Sequence, residues 1–352
     1  MKNTPGPGPV AENQNHVSPA VLLKEHAMSI FKRSVAIVGL LLGIIFCRDS
    51  AVLAADWPHR TVRLIVPVPA GTAADFSARL FAERLSQHWG QAVIVENRPG
   101  ADGVIGVSAF LGTNDDHTLL YAISAVFTVH PITVAKLPYD PVRELAPIAP
   151  TSDVVLAIAA AAKSPIRSLS GLVQTALAQP GKLNWASSPG LPPFVVGGFL
   201  KNSKLDLALV SYRDIAPVLQ DLGEGRIDIY VGSLGVIMPQ VQSGRARLLA
   251  IASAARAPLA PDVPTVIEAG FPELRMDGVV GFFGKHGMPD ALRDQIASDV
   301  GAIANDPGIR EKLAAVGQSA RPGTTVEFVA SLNEHHRRLA DLAKTIDFKV
   351  TH

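Results

Sequence analysis

Residues 62–68, VRLIVPV, form an almost unbroken apolar run, followed at once by the glycine-containing loop Pro69-Ala70-Gly71-Thr72. A strand this apolar has both faces covered, as in a parallel sheet flanked by helices. After the loop, Ala78, Phe81, Ala82, Leu85 and Trp89 fall at i, i+3, i+4, i+7 and i+11. That spacing is one face of a helix, with Arg79, Glu83 and Ser86 on the other side and Gly90 as its stop. Strands at 92–95 and 118–123 continue a βαβ pattern that is right-handed by default. The same grammar returns in the second half. Ser168 caps a helix that closes at Pro180-Gly181. A strand at 183–186, the loop Ser187-Ser188-Pro189-Gly190 and a helix over 192–201 follow, then strands at 207–210, 227–231 and 247–252. The fold class is α/β.

The length of 352 residues exceeds what one hydrophobic core organises, so two lobes are expected. Apolar stretches at 154–161 and 278–283 bracket the second half and read as two crossings between lobes. On that reading lobe 1 is discontinuous, residues 56–157 and 280–352, and lobe 2 is 158–279. Two consecutive domains are the open alternative. Upstream, Lys32 and Arg33 precede an apolar run at 34–46 and the small residues of Val52-Leu53-Ala54-Ala55. This is the order of a secretory signal peptide at 28–55, and the run is too short to span a bilayer. Residues 1–27 read as a leader or an over-called start. The expected location is the periplasm. The single cysteine, Cys47, lies in the segment to be removed, so thiol catalysis, disulfides and thiolate metal sites are not expected.

The formal charge is +1 without a basic run, so nucleic acid is not an expected partner. Signals for enzymes are poor. No phosphate loop, dinucleotide fingerprint, HExxH or GxSxG is present. His335 and His336 adjoin on a helix and so point about 100° apart, which suits a solvated face better than a metal. His130 reads as a wall or loop residue, and Asp115-Asp116-His117 as an exposed turn. No catalytic residue, metal or cofactor is expected.

What the loops offer is anion binding. Ligands of open parallel sheets sit beyond the carboxyl ends of the strands, where helix N-termini present unpaired N–H groups. Thr72 and Asp75 are spaced as a capping box. The N–H groups of Ala70, Gly71, Thr72 and Ala73 are therefore candidate carboxylate donors, with Gly71 permitting close approach of the ligand. Residues 97–103, NRPGADG, make a second glycine-rich loop, and Ser187, Ser188 and Gly190 a third on the opposite lobe. Tyr212 follows a strand and either lines the cleft or packs beside an ion pair. A cleft with an anion-friendly wall on each side suits an organic acid.

Several stretches in order carry a family resemblance: DWPHRTVRLIVPVPAGTAAD at 56–75, VIVENRPGADGVIG at 93–106, LPYDP at 137–141, QPGKLNWAS at 179–187 and PLAPDVPTVIEAGFPE at 258–273. In these the chain resembles the Bug family, periplasmic solute-binding receptors of tripartite tricarboxylate transporters. The resemblance implies a type II periplasmic-binding fold, two lobes with mainly parallel sheets that close on one small molecule. It also implies a monomer that docks onto the membrane subunits of a tripartite transporter. The implied ligand loop is 69–75, including Asp75. Ser124 follows the third strand, Ser187, Ser188 and Gly190 lie opposite, and Tyr212 and Ser233 are neighbours. The second-lobe loop here reads SSPGLPPFVVGG, in which Pro189, Pro192 and Pro193 offer no N–H. With Leu191 and Phe194 beside them, the expected ligand is a small organic acid with an apolar or aromatic body. A sensor read by a membrane histidine kinase is the alternative role, and an enzyme on the same fold a more distant one.

Overall fold

The computed structural model describes residues 57–345, apart from Pro189 and Arg213. The signal segment therefore lies outside the described residues, as does one of the three prolines. The first strand, β1 (Val62–Val66), has β2 (Val93–Asn97) and β3 (Thr118–Ile123) as parallel neighbours. Its side chains show why the run is continuously apolar. Val62, Leu64 and Val66 pack beneath helix α1 (Ala73–Trp89) with Phe81 and Leu85, while Ile65 faces Val107 and Phe110 on the other side. Arg63, the one charge in the run, is neutralised by Glu96 at 2.6 Å on the neighbouring strand. Helix α1 buries the predicted Ala78, Phe81, Ala82 and Leu85 and ends at Gly90 in a left-handed conformation.

The chain continues through α2 (Val104–Leu111) and, after β3, the short turns α3 (Ala125–Thr128), α4 (His130–Thr133) and α5 (Pro141–Glu144). Strands β4 (Leu145–Val154) and β5 (Leu156–Ala161) then follow with only Val155 between them, yet they belong to different sheets. The second lobe carries α6 (Leu169–Ala178), β6 (Asn184–Ser187), α7 (Pro192–Asn202), β7 (Ala208–Leu209), α8 (Ile215–Glu224), β8 (Ile229–Ser233), α9 (Leu234–Gln242) and β9 (Ala246–Ile251). Strand β10 (Gly278–Lys285) rejoins the first sheet, followed by α10 (Asp290–Asn305), α11 (Pro307–Ala315), β11 (Gln318–Ala320) and α12 (Thr325–Thr345).

Two sheets result: six strands in the order β11-β4-β10-β3-β1-β2, and five in the order β7-β6-β8-β5-β9. Each has apolar clusters on both faces. The parallel expectation holds for β2-β1-β3 and β7-β6-β8. It does not extend to β4, β5 and β10, which run antiparallel to their neighbours. A strand that carries the chain from one sheet to the other enters by the end facing its partner lobe, and its direction follows from that path. The sheets are therefore mixed.

Candidate functional site

A cavity of about 490 Å³ lies between the two sheets, and its lining draws on both. One wall is the loop after β1 and the first turn of α1: Pro67, Val68, Pro69, Thr72, Ala73 and Ala74. The N–H groups of Ala73 and Ala74 open the helix and have no carbonyl one turn earlier within it. The turn after β3 adds Ser124, Val126, Thr128 and Val129. Across the cleft stand Ser188, Gly190, Leu191, Pro192 and Val195, with Ser233 and Val236 from the β8–α9 junction. Val154, Leu156 and Gln318 line it where the chain crosses between sheets.

The first loop is held from behind by Asp75, which is 4% exposed. Its carboxylate accepts from Gly71 N at 2.9 Å, Asn97 Nδ2 at 2.8 Å and Arg79 Nε at 3.1 Å. Burial alone raises the pKa of such a group. Here the bonds from Arg79, Gly71 and Asn97 outweigh it, and the net shift is downward. Thr72 Oγ1 caps the helix by accepting from Asp75 N at 3.3 Å. Only half of the expected capping box forms, because the carboxylate reaches Gly71 rather than Thr72.

The sequence-predicted site residues divide accordingly. Thr72, Ala73, Ser124, Ser188, Gly190 and Ser233 line the cavity. Ala70, Gly71, Asp75, Ser187, Phe194 and Tyr212 are not part of the lining. Gly71 spends its N–H on Asp75, and a Cβ built on it meets nothing within 4 Å. Its glycine serves a backbone φ of +83° rather than close approach. Phe194 is buried against Val129 and Leu339, where α7 meets the opposite lobe. Tyr212 packs on the second-lobe core and donates to Asp221, and burial raises its phenol to about 12.

The histidine pair is not a solvated face. His335 lines the cavity, where burial lowers its pKa, and the ring of His336 sits 3.1 Å from Thr128 O. His130 is buried, its Nδ1 2.7 Å from Tyr139 Oη. Asp115 and Asp116 are bridged by Arg60 at 2.6 and 3.1 Å, beside a fully buried His117, so the expected exposed turn is an anchored one.

Other lining residues escaped the sequence reading. Asp102, in the second glycine-rich loop, lines the cavity from a left-handed backbone with φ 53°, its carboxylate 3.8 Å from His130 Nε2. Arg275, Asp277 and Arg338 form a rim in which Arg275 pairs with Asp277 at 2.8 Å and Arg338 donates to Arg275 O at 2.8 Å. Gln318 was hidden because a three-residue strand is too short to carry a periodic signal.

This two-sheet architecture with an interlobe cavity is matched by known proteins. A model of the tripartite tricarboxylate transporter family receptor matches residues 77–347. The chain belongs to this family. A UPF0065 protein of Bordetella bronchiseptica is 34% identical over 300 residues, covering 85% of this chain and 89% of the relative. BugT of Bordetella pertussis is 28% identical over 306 residues, covering 85% and 93%. A solved structure, that of R. palustris Rpa4515 with adipate, superposes with a TM-score of 0.74 at 27% identity, covering 83% of this chain and 99% of that one. The Bug-family expectation and the type II periplasmic-binding fold class both hold.

Proposed function

We propose that this receptor captures a small organic acid with an apolar, aliphatic body in the periplasm by closing its two lobes around it, and delivers it as a monomer to the membrane subunits of a tripartite transporter. The observation that carries this reading is the composition of the cavity wall. Helix-start N–H groups at Ala73 and Ala74 suit a carboxylate, and prolines, valines and leucines surround the rest. The relative with adipate holds an acid of that shape, a carboxylate on a methylene chain. Among the described residues no phenylalanine, tyrosine or tryptophan lines the cavity, which favours an aliphatic body over an aromatic one. The lobe division at 157/158 and 279/280 and export by the 28–55 segment belong to the same reading.

A thermal-shift panel tests it. Straight-chain C4–C8 acids are expected to raise the melting temperature, the effect growing with chain length as apolar area is buried at roughly 25 cal/mol per Å². Aromatic monocarboxylates should do less. Stabilisation by citrate, with none by the aliphatic acids, contradicts the reading.

Asp102 sets a second expectation, because it places a negative charge on the wall that receives an anion. Asn tolerates the same left-handed backbone. Asp102→Asn is therefore expected to tighten binding of an aliphatic acid about threefold at low salt, the gain fading as the Debye length shrinks. Calorimetry at 20 and 300 mM salt checks this. An equal change at both concentrations assigns the effect to something other than charge.

A further inference from the structure

Behind the cavity wall a buried ring nitrogen has no hydrogen-bond partner. It is Nε2 of His130, a fully buried side chain at the start of α4. The other edge of the ring is committed. Tyr139 Oη donates to Val126 O at 3.0 Å, so its 2.7 Å contact with His130 Nδ1 is one in which it accepts. Burial raises the pKa of that phenol, with the Asp102 charge adding to the effect, so the hydroxyl keeps the proton it donates. Nδ1 therefore carries the hydrogen of the neutral ring, and Nε2 is left as a buried acceptor without a donor.

The group that Nε2 faces is a carboxylate. Asp102 Oδ2 lies 3.8 Å away, within ion-pair range but too far for a hydrogen bond. Two acceptors opposed in this way gain nothing from each other. A proton on Nε2 turns the contact into an imidazolium–carboxylate pair and satisfies the orphaned nitrogen. Asp102 is more than half exposed and lines the cavity, so its charge acts on an anion bound there. Of the elements packed against α4, α3 carries no ionisable side chain. The other, α12, brings His336 Nδ1 to 3.1 Å from Thr128 O and places His335 and Arg338 in the cavity lining.

Resting on the reading of the cavity as a small-acid site, we infer that His130 and Asp102 couple ligand binding to proton uptake. His130 Nε2 takes a proton from solvent as the anionic acid enters, and the imidazolium offsets the Asp102 charge on the wall. The sign follows from the charges. With His130 neutral, Asp102 opposes the acid; with His130 protonated, that charge is compensated. Acid and proton bind better together than apart, so affinity rises as pH falls and levels off once the ring is protonated. The size equals that of removing the Asp102 charge outright, about threefold at low salt. A coupling of that size takes up at most about a quarter of a proton per ligand.

Calorimetry with hexanoate at about 20 mM salt tests this. It is run in two buffers of different ionisation enthalpy from about pH 8.5 to about pH 6, where histidine side chains change charge and the acid stays ionised. In the wild type the heat is expected to depend on the buffer, with about a quarter of a proton taken up, and affinity to rise about threefold across the range. Asp102→Asn is expected to hold the tighter, acid-side affinity at every pH with no uptake. His130→Gln is expected to hold the weaker, alkaline-side affinity with no uptake. His335→Gln removes the other cavity histidine and should leave the uptake in place. Asp102→Asn decides by itself if the buried His130→Gln variant fails to fold. A wild type without uptake, or uptake that survives Asp102→Asn, overturns the coupling and leaves the small-acid reading standing. Uptake abolished by His335→Gln alone overturns it as well. Failure of both hexanoate and adipate to bind overturns the small-acid reading and the coupling with it.

Discussion

Gly235→Ala is expected to weaken binding of adipate by at least tenfold while leaving both lobes folded. A Cβ on Gly235 would lie 2.5 Å from Val316 O and 3.0 Å from Val316 C. The contact is reciprocal, since a Cβ on Gly317 would lie 2.5 Å from Gly235 N. These are backbone atoms, so no side chain can swing aside. Relief requires the start of α9 and the turn before β11 to move apart, and these adjoin β8 and β11, strands of different sheets. That movement displaces Ser233 and Gln318, which flank the same contact in the chain. Overpacking of this kind costs about 1–3 kcal/mol, and on the proposed lobe closure the part confined to the closed form appears directly as lost affinity. Local preference runs the other way. Position 235 is within a helix, where alanine is favoured over glycine by about 1 kcal/mol. A weaker complex therefore isolates the interlobe contact from helix propensity. If the lobes close on the acid as proposed, small-angle scattering with and without adipate gives the second readout, in which the variant should stay expanded at concentrations that compact the wild type. Unchanged affinity and unchanged compaction would remove this contact from the closed form.

The parts of this molecule that could be read in its sequence are those in which short-range pattern and burial coincide. The run at 62–68 is apolar on both faces because helices cover both, and the face of α1 is visible because its buried positions recur every three or four residues. Ser168 shows its role in its type and place, accepting from Gly171 N at 3.0 Å. The site is harder, because its residues act through direction. The family resemblance places Asp75 in the ligand loop. Its carboxylate instead turns inward, and the deciding partner, Asn97, is 22 residues away on another strand. Phe194 beside a proline-rich loop reads equally well as a cavity wall or as a contact between lobes. Only the position of α12, at the far end of the chain, separates the two. Gln318 depends on a register with Val154 across more than half of the described chain, to which no local pattern refers.

Asp75→Asn is expected to destabilise the protein by about 2–4 kcal/mol and to release the loop between β1 and α1. The substitution conserves shape, so its effect is one of donors and acceptors. Every group that meets the carboxylate is a donor: Gly71 N, Asn97 Nδ2, and the guanidinium of Arg79, which also lies 3.0 Å from Oδ1. An asparagine amide has one acceptor oxygen, and its NH₂ must face one of those donors, leaving two N–H groups opposed inside a buried site. Arg79 is about half exposed, so solvent screens its share, and most of the expected loss lies in the buried bonds to Gly71 and Asn97. The pH dependence has a definite sign. The folded-state pKa of Asp75 is lowered from 3.8, so its contribution is fully present above that value and disappears as pH falls through the lower folded value. The stability gap between wild type and variant should therefore be constant from pH 7 to about pH 5 and close as the solution is acidified below pH 4. Denaturant unfolding across that range measures the gap, and hydrogen exchange at Gly71 reports the loop. A gap that persists undiminished at pH 2, or a Gly71 amide that exchanges no faster in the variant, would show that the carboxylate does not hold the loop.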